Sequence, residues 1–348
     1  MTSVRRMGLV AAAAATPLAL GYRFAVVYRR RAGFPARRPI LETPPGVGLA
    51  CEEVAIDSPG GRLPGWFLPA RGGARGPGVV LVHGWESNRA RMLPNARFLV
   101  AAGFHCLCFD VRGHGENGPE RLPISVGEFG ADAAAALRAL RARPEVDRVA
   151  ILGHSMGAAG AVLAAAAEPW LDALVSVAAP ADPRLLTRQT FRLAHLPIPS
   201  PIAVPLAWLV ARVYVRPRGH SVAALSARRA IRHYPGPVLL IHGDADEVIP
   251  FGDLHRLEVA AARRPAGPTG ERPRLEALVV PAGLHRWLYE DATYRRVVAR
   301  FLAETLGGPL EPELAGRVAA ELDVRRPADT EGPISSLVAA AAPGGAEA

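Results

Sequence analysis

The stretch "VAILGHSMGAAGAVLAAAA", residues 149–167, decides how the chain is read. Val149, Ala150, Ile151 and Leu152 have the short, continuous apolar character of a buried strand. From Ala158 onward the residues are mostly alanine, the best helix former. Between the two lies Gly153-His154-Ser155-Met156-Gly157, in which a serine sits two residues from a glycine on either side. A strand that turns this sharply into a helix strains the backbone at Ser155 and projects its hydroxyl above the sheet edge, and the flanking glycines relieve the crowding. Five letters can match by chance in a chain rich in glycine and alanine. Whether Ser155 is a nucleophile depends on the partners supplied elsewhere, and on their order.

Outward from that turn the same alternation of strand and helix recurs. "EEVAIDS" (52–58) and "LPGWFLPA" (63–70) flank Pro59-Gly60-Gly61 and predict a hairpin. Further strands are expected at "GVVLVHG" (78–84), "FHCLCFD" (104–110), "RVAILG" (148–153), "ALVSVAAP" (173–180), "PVLLIHG" (237–243) and "LEALVVPAG" (275–283). Amphipathic runs separate them, among them "RMLPNARFLVAAG" (91–103), which stops on Gly103, "ADAAAALRALRAR" (131–143) and a closing "YRRVVARFLAETL" (294–306). The pattern predicts an α/β domain over residues 41–306, with an eight-stranded, mostly parallel sheet flanked by helices and its first two strands antiparallel. About residues 181–233 interrupt the rhythm with an apolar, proline-rich insertion that includes "LPIPSPIAVPLAWLVARVYV" (196–215). An insertion of this length over the carboxyl edge of a sheet is expected to act as a lid. Residues 307–348 are rich in Ala, Pro and Gly and are expected to form a loosely ordered tail.

The net charge of +9 invites a nucleic-acid partner, but its distribution argues against one. Eight arginines and no acid fall within residues 1–40, and the rest of the chain is close to balanced. Those first forty residues read as a membrane anchor or signal segment with a basic flank. The apolar run over residues 7–28, broken only by Arg23, is long enough to span a bilayer if that arginine snorkels to the interface. The arginines after it slightly favour a cytoplasmic main domain, and a cleaved secretory signal is the alternative. Three cysteines do not make a disulfide framework, and Cys106 and Cys108 share one face of a strand. No Cys/His spacing resembles a zinc site.

A serine hydroxyl is a weak nucleophile until a base takes its proton, and the base needs an acid to orient it. Ligand and catalytic groups belong on the loops leaving the carboxyl ends of strands. "DADEVIPF" after "PVLLIHG" offers Asp244, Asp246 and Glu247, and "LHRW" after "LEALVVPAG" offers His285. His233 and His242 precede the last acid, and His83 and His114 precede the serine, so His285, on the loop leaving the last strand, has little competition for the order serine, acid, histidine. Backbone N–H groups of Met156, directly after the serine, and of Trp85, after Gly84, are the candidate oxyanion donors.

Together "LVHGWESN" (81–88), "CFDVRGHGENG" (108–118), "GHSMGAAGA" (153–161), "HGDADEVIPF" (242–251) and "PAGLHRWLY" (281–289) resemble the α/β-hydrolase superfamily. The resemblance extends over roughly residues 50–305 and is nearest to the serine-aminopeptidase-like, esterase/lipase branch with an N-terminal membrane segment. It implies that Asp246, rather than Asp244 or Glu247, is the acid of the triad, and that Asp110 and Arg112 are structural. Leu284 departs from the glycine that many members carry before the histidine. The implied activity is cleavage of a carboxylic ester through an acyl-serine intermediate and without metal or organic cofactor, and the apolar insertion and the N-terminal segment point to a hydrophobic ester, even a lipid. Thioester hydrolysis, acyl transfer or peptide cleavage would use the same three residues. A non-catalytic binding protein on this fold would be marked by loss of one of them, and all three are present.

Overall fold

A computed structural model describes residues 2–266, 270–324 and 326, with side chains from Thr16 onward. The strands are β1 (Glu52–Ser58), β2 (Gly61–Leu68), β3 (Gly76–Val82), β4 (His105–Phe109), β5 (Val146–His154), β6 (Ala173–Val177), β7 (Val238–Gly243) and β8 (Leu275–Val280). The helices are α1 (Thr2–Ala32), α2 (Leu93–Ala101), α3 (Val126–Arg141), α4 (Met156–Ala167), α5 (Pro183–Leu193), α6 (Ser200–Val215), α7 (Ala227–Ala230), α8 (Gly252–Ala261), α9 (Ala292–Leu306) and α10 (Pro312–Glu321). All eight expected strands are present and form one sheet in the order β1-β2-β4-β3-β5-β6-β7-β8. β1–β2 and β2–β4 pair antiparallel, and every other neighbour is parallel. This is the α/β-hydrolase fold.

The alternation of side chains along each central strand explains the layering. In β3, Val80 and Val82 enter one apolar cluster, while Val79 and Leu81 enter the cluster on the opposite face. Strand β5 repeats the division, with Val149 and Ile151 on the first face and Ala150 and Leu152 on the second. Both faces are covered by helices, so these strands read as unbroken apolar runs. Helix α3 begins on a capping box in which Ser125 and Glu128 satisfy each other's backbone donors, and Asp291 caps α9 through the N–H groups of Thr293 and Tyr294.

The chain ends differ from their sequence reading. Among the described residues, no helix is long and apolar enough to cross a membrane. The side chains of residues 7–15 lie outside the described residues, and the far end of the supposed span faces protein. Ala25 and Tyr28 are buried with Phe191, Ala207 and Val210 of the insertion. Tyr28 Oη lies 2.7 Å from Thr190 Oγ1, and Arg29 Nη1 donates to the Val213 carbonyl at 3.3 Å. An apolar stripe that packs on a neighbouring helix cannot be told by composition from one that meets lipid.

The expectation of a loose tail from residue 307 fails for α10. Ala315 and Ala319 are fully buried against α9 and α2. The buried Arg295 donates from Nε and Nη2 to the carbonyls of Ala319 and Ala320, filling acceptors that the helix leaves unpaired. Residues 327–348 lie outside the described residues.

Candidate active site

Four loops at the carboxyl edge of the sheet carry the predicted residues: Trp85 follows β3, Ser155 follows β5, Asp246 follows β7 and His285 follows β8. Ser155 has φ +56° and ψ −123°, the left-handed backbone expected of the turn from β5 to α4. The turn is possible because its neighbours lack side chains. A Cβ on Gly153 would lie 2.4 Å from the Gly157 carbonyl oxygen, and one on Gly157 would lie 2.2 Å from that of His83. The flanking glycines thus allow the start of α4 to press against the end of β3.

The structure brings Ser155, His285 and Asp246 together in a buried line. His285 Nε2 lies 3.0 Å from Ser155 Oγ, and His285 Nδ1 lies 2.8 Å from Asp246 Oδ2. Of the three acids that the sequence offered, Asp244 and Glu247 are exposed and Asp246 is buried. Asp246 Oδ1 accepts from the N–H groups of Val248 and Ile249, both at 2.8 Å. Its Oδ2 also lies 3.2 Å from His242 Nε2, which is 3.0 Å from the Ile249 carbonyl. Since both neighbours of His242 Nε2 are acceptors, that nitrogen carries the proton. Burial by itself would raise the Asp246 pKa. The hydrogen bonds from His242, His285 and the backbone outweigh it and hold the carboxyl well below the usual range.

With Asp246 ionised, His285 Nδ1 carries a proton and Nε2 is left as the acceptor for Ser155 Oγ–H. That is the tautomer a general base needs. Leu284 is exposed and does not keep His285 from Ser155.

Met156 is the first residue of α4, where N–H groups have no partner within the helix and the helix dipole is positive. The Trp85 side chain is buried beside Phe129 and His114, so its indole anchors the loop whose backbone was nominated as a donor. Asp110 and Arg112 are structural, as the resemblance implied. Asp110 accepts from the Arg89 backbone at 2.6 Å and from Arg89 Nη1 at 2.5 Å, tying the loop after β3 to the turn after β4. Arg112 pairs with the buried Asp132 of α3.

Sequence reasoning missed two positioning histidines. His154 Nε2 donates to the His285 carbonyl at 2.7 Å and fastens the base-bearing loop to the serine turn. Burial, with a lesser contribution from His285, depresses its pKa to about 3, so the imidazole stays neutral. His83 Nδ1 donates to the Gly84 carbonyl at 2.7 Å and its Nε2 accepts from Val111 N–H at 3.1 Å, with its pKa depressed by burial to about 4. Their adjacency to "GHS" and "HG" was the only signal available.

Two cavities lie on this side of the sheet, and Ser155 lines one of them. One is lined by Ser155, His285, Trp85 and the segment Arg286–Tyr289. The other lies under the insertion, beyond Trp85 and Met156, and is walled by Tyr28, Leu186, Ala211, Tyr214 and Leu225. Among the described residues no cluster of His, Cys, Asp and Glu could hold a metal ion.

Residues 76–232 match the family model described as serine aminopeptidase, S33. An uncharacterised protein of Mycobacterium tuberculosis, Rv2307c, is 32% identical over 282 residues, covering 80% of this chain and 88% of that protein. The uncharacterised YfhR of Salmonella typhimurium is 31% identical over 211 residues, covering 59% and 67% respectively. Among solved structures, the Pyrococcus furiosus esterase Pf2001 superposes with a TM-score of 0.62 at 20% identity, covering 78% of this chain and 97% of its own. Est1E of Butyrivibrio proteoclasticus, solved with ferulic acid, gives 0.55 at 16%, covering 72% and 98%. By this relationship, and by the sheet it carries, the chain belongs to the serine aminopeptidase (S33) family of α/β hydrolases, a family of serine hydrolases.

Proposed function

We propose that the protein is a serine esterase that cleaves carboxylic esters with a hydrophobic acyl group. The observation that carries this reading is the unbroken relay from Ser155 Oγ through His285 to the ionised Asp246, at 3.0 Å and 2.8 Å. His285 Nε2 takes the Ser155 proton as Oγ attacks the ester carbon. The N–H groups of Trp85 and Met156 receive the charge that develops on the carbonyl oxygen. The alcohol leaves with the proton from His285, and water repeats the sequence on the acyl-serine. Asp246 holds the imidazole in place and stabilises its charged form during both steps.

The apolar cavity beyond Met156 supports a hydrophobic acyl group, because residues of α1, α5 and α6 close it on the outer side. In this reading residues 181–233 are a lid, fastened to the acid loop where Gln189 Nε2 donates to the Glu247 carbonyl at 2.9 Å. The amino-terminal part of α1 holds the enzyme at a membrane. Exposed Leu18, Leu20 and Tyr22, in a segment with eight arginines and no acid, support that placement.

The test is labelling with a fluorophosphonate and turnover of p-nitrophenyl esters of increasing acyl length. The parent enzyme is labelled at Ser155 and prefers medium or longer chains, and Ser155→Ala loses both activities. Labelling and turnover that persist in Ser155→Ala would overturn the mechanism. Flotation of the full chain with anionic vesicles tests the membrane placement, and a chain that stays at the bottom of the gradient rejects it.

A further inference from the structure

The cavity beside Ser155 has a chemical character that an ester of two hydrophobic parts does not use. Its charged lining, among the described residues, consists of the guanidiniums of Arg38, Arg91 and Arg286 with the carboxylate of Glu86. Each arginine is half-buried and is placed by an element already described. Arg286 follows the base, His285. Arg91 lies over the Trp287 ring, 4.5 Å from its centre. Arg38 is brought in by the segment after α1, which is tied to the loop after β3. Asn88 Nδ2 donates there to the carbonyls of Arg38 and Pro39 at 3.2 and 3.0 Å, and Glu86 Oε1 accepts from Ala36 N–H at 3.2 Å. Burial lowers the Arg286 pKa and the like charge of Arg38 lowers it further, while the Glu86 carboxylate opposes both.

A second observation points the same way. Tyr289 lines this cavity and is 8% exposed as a whole, and its hydroxyl is buried with no hydrogen-bond partner among the described residues. Arg91 is close enough to act on its ionisation electrostatically. A buried hydroxyl without a partner is costly unless something bound supplies an acceptor. Guanidiniums in a concave, poorly solvated site concentrate positive potential and match the paired oxygens of a carboxylate or phosphate.

We propose that the cavity formed by Arg38, Arg91, Arg286 and Tyr289 is a subsite for an oxyanion, a carboxylate or phosphate, carried on the alcohol side of the ester. The inference rests on the esterase reading. The hydrophobic acyl chain enters the apolar cavity beyond Met156, and the anionic leaving group lies among the arginines, with Tyr289 Oη–H donating to it. Positive charge held next to the leaving group also favours departure of an alcohol that is already anionic.

The experiment compares three esters of one acyl chain: 4-(hexanoyloxy)benzoate, 4-(hexanoyloxy)phenyl phosphate and the neutral methyl 4-(hexanoyloxy)benzoate. Values of kcat/KM are normalised to the rate of each ester with hydroxide. The expected result is a preference of tenfold or more for at least one anionic ester, and the two anionic arms tell carboxylate from phosphate. The anionic-to-neutral ratio falls at least fivefold in Arg91→Gln, Arg286→Gln and Tyr289→Phe. It stays at the parent value in Arg62→Gln, at the exposed start of β2. A residue with a purely structural role would lower all three rates together and leave the ratio unchanged.

Binding of the same esters to Ser155→Ala, followed by calorimetry, separates the two readings. Tighter binding of an anionic ester, lost in the Arg91→Gln double variant, upholds the subsite even if the parent enzyme turns over none of them. Equal binding of charged and neutral esters, or no binding of any, overturns the subsite even if the esterase reading stands.

Discussion

Replacing Asp246 with asparagine exchanges one oxygen for an NH2 group and tests the whole relay. The carboxylate accepts two backbone N–H bonds on Oδ1 and faces His285 and His242 on Oδ2. An asparagine must choose which pair its carbonyl oxygen serves. If its NH2 faced Val248 and Ile249, two backbone N–H groups would be left buried without acceptors, at about 1–3 kcal/mol each. The backbone cannot move aside, so the oxygen stays there and the NH2 points at the imidazoles.

His285 Nδ1 must then accept, its proton moves to Nε2, and Nε2 can no longer receive the proton of Ser155. Loss of the base by this change of tautomer costs about 10⁴-fold in turnover in enzymes of this logic. That factor corresponds to about 5 kcal/mol of transition-state stabilisation. The assay is kcat/KM on p-nitrophenyl hexanoate, with circular dichroism and urea unfolding to show that the fold persists. A folded Asp246→Asn enzyme within tenfold of the parent would refute the assignment of acid and tautomer alike.

Two further outcomes follow from packing. Gly157→Ala places a methyl group 2.2 Å from the His83 carbonyl and 2.5 Å from that of Val82, both rigid backbone. It should cost about 3 kcal/mol or more, read as a lowered Tm or loss of soluble protein. A variant with parental Tm would show that the start of α4 is not pressed on β3. Arg295→Met removes the donor that reaches four carbonyls, those of Tyr289, Glu290, Ala319 and Ala320. It should loosen α10 and expose residues 312–321 to limited proteolysis, and unchanged cleavage kinetics would contradict the capping role.

The sheet and the order of the site residues were legible because both are local signals. The central strands are short apolar runs, and each site residue sits on the loop that leaves one strand. The choice among Asp244, Asp246 and Glu247 needed the family resemblance, since a loop of three acids has no period that says which turns inward. Links between distant loops left no trace. The Arg89–Asp110 pair and the His154–His285 bond join residues that are 21 and 131 positions apart. The carboxyl half of α1 was misread for another reason. Its burial depends on Thr190, Phe191 and Val210, a surface that exists only once the insertion has folded. The alanines of α10 carry little hydrophobicity of their own, and they matter because their small size lets α10 approach α9 closely.

The buried histidines around the loop after β3 make stability depend on pH in a definite direction. His83 and His114 are fully buried, lie 5.2 Å apart, and have pKa values depressed by burial to about 4 and about 3. In the unfolded chain both take up a proton near pH 6.5, whereas the folded protein stays unprotonated until well below that. The unfolded state therefore binds more protons across this window, so stability is full above about pH 6.5 and falls as pH drops towards 4. Each histidine steepens the fall by up to about 1.4 kcal/mol per pH unit. His114 offers the cleaner test. Its Nδ1 donates to the Arg112 carbonyl at 3.0 Å, but its Nε2 is buried without a partner, and the ring packs edge-on to Trp85. His114→Phe keeps an aromatic ring against Trp85 and Phe129, removes the unpaired nitrogen and forfeits one hydrogen bond. At pH 7.5 those changes largely offset each other, each being about 1 kcal/mol. At pH 5 the variant should be the more stable protein, because it has no imidazole to keep neutral. Urea midpoints measured at both pH values decide the matter. Parallel profiles for parent and variant would mean that His114 is not held neutral by burial, and that the floor beneath Trp85 is wetter than its packing implies.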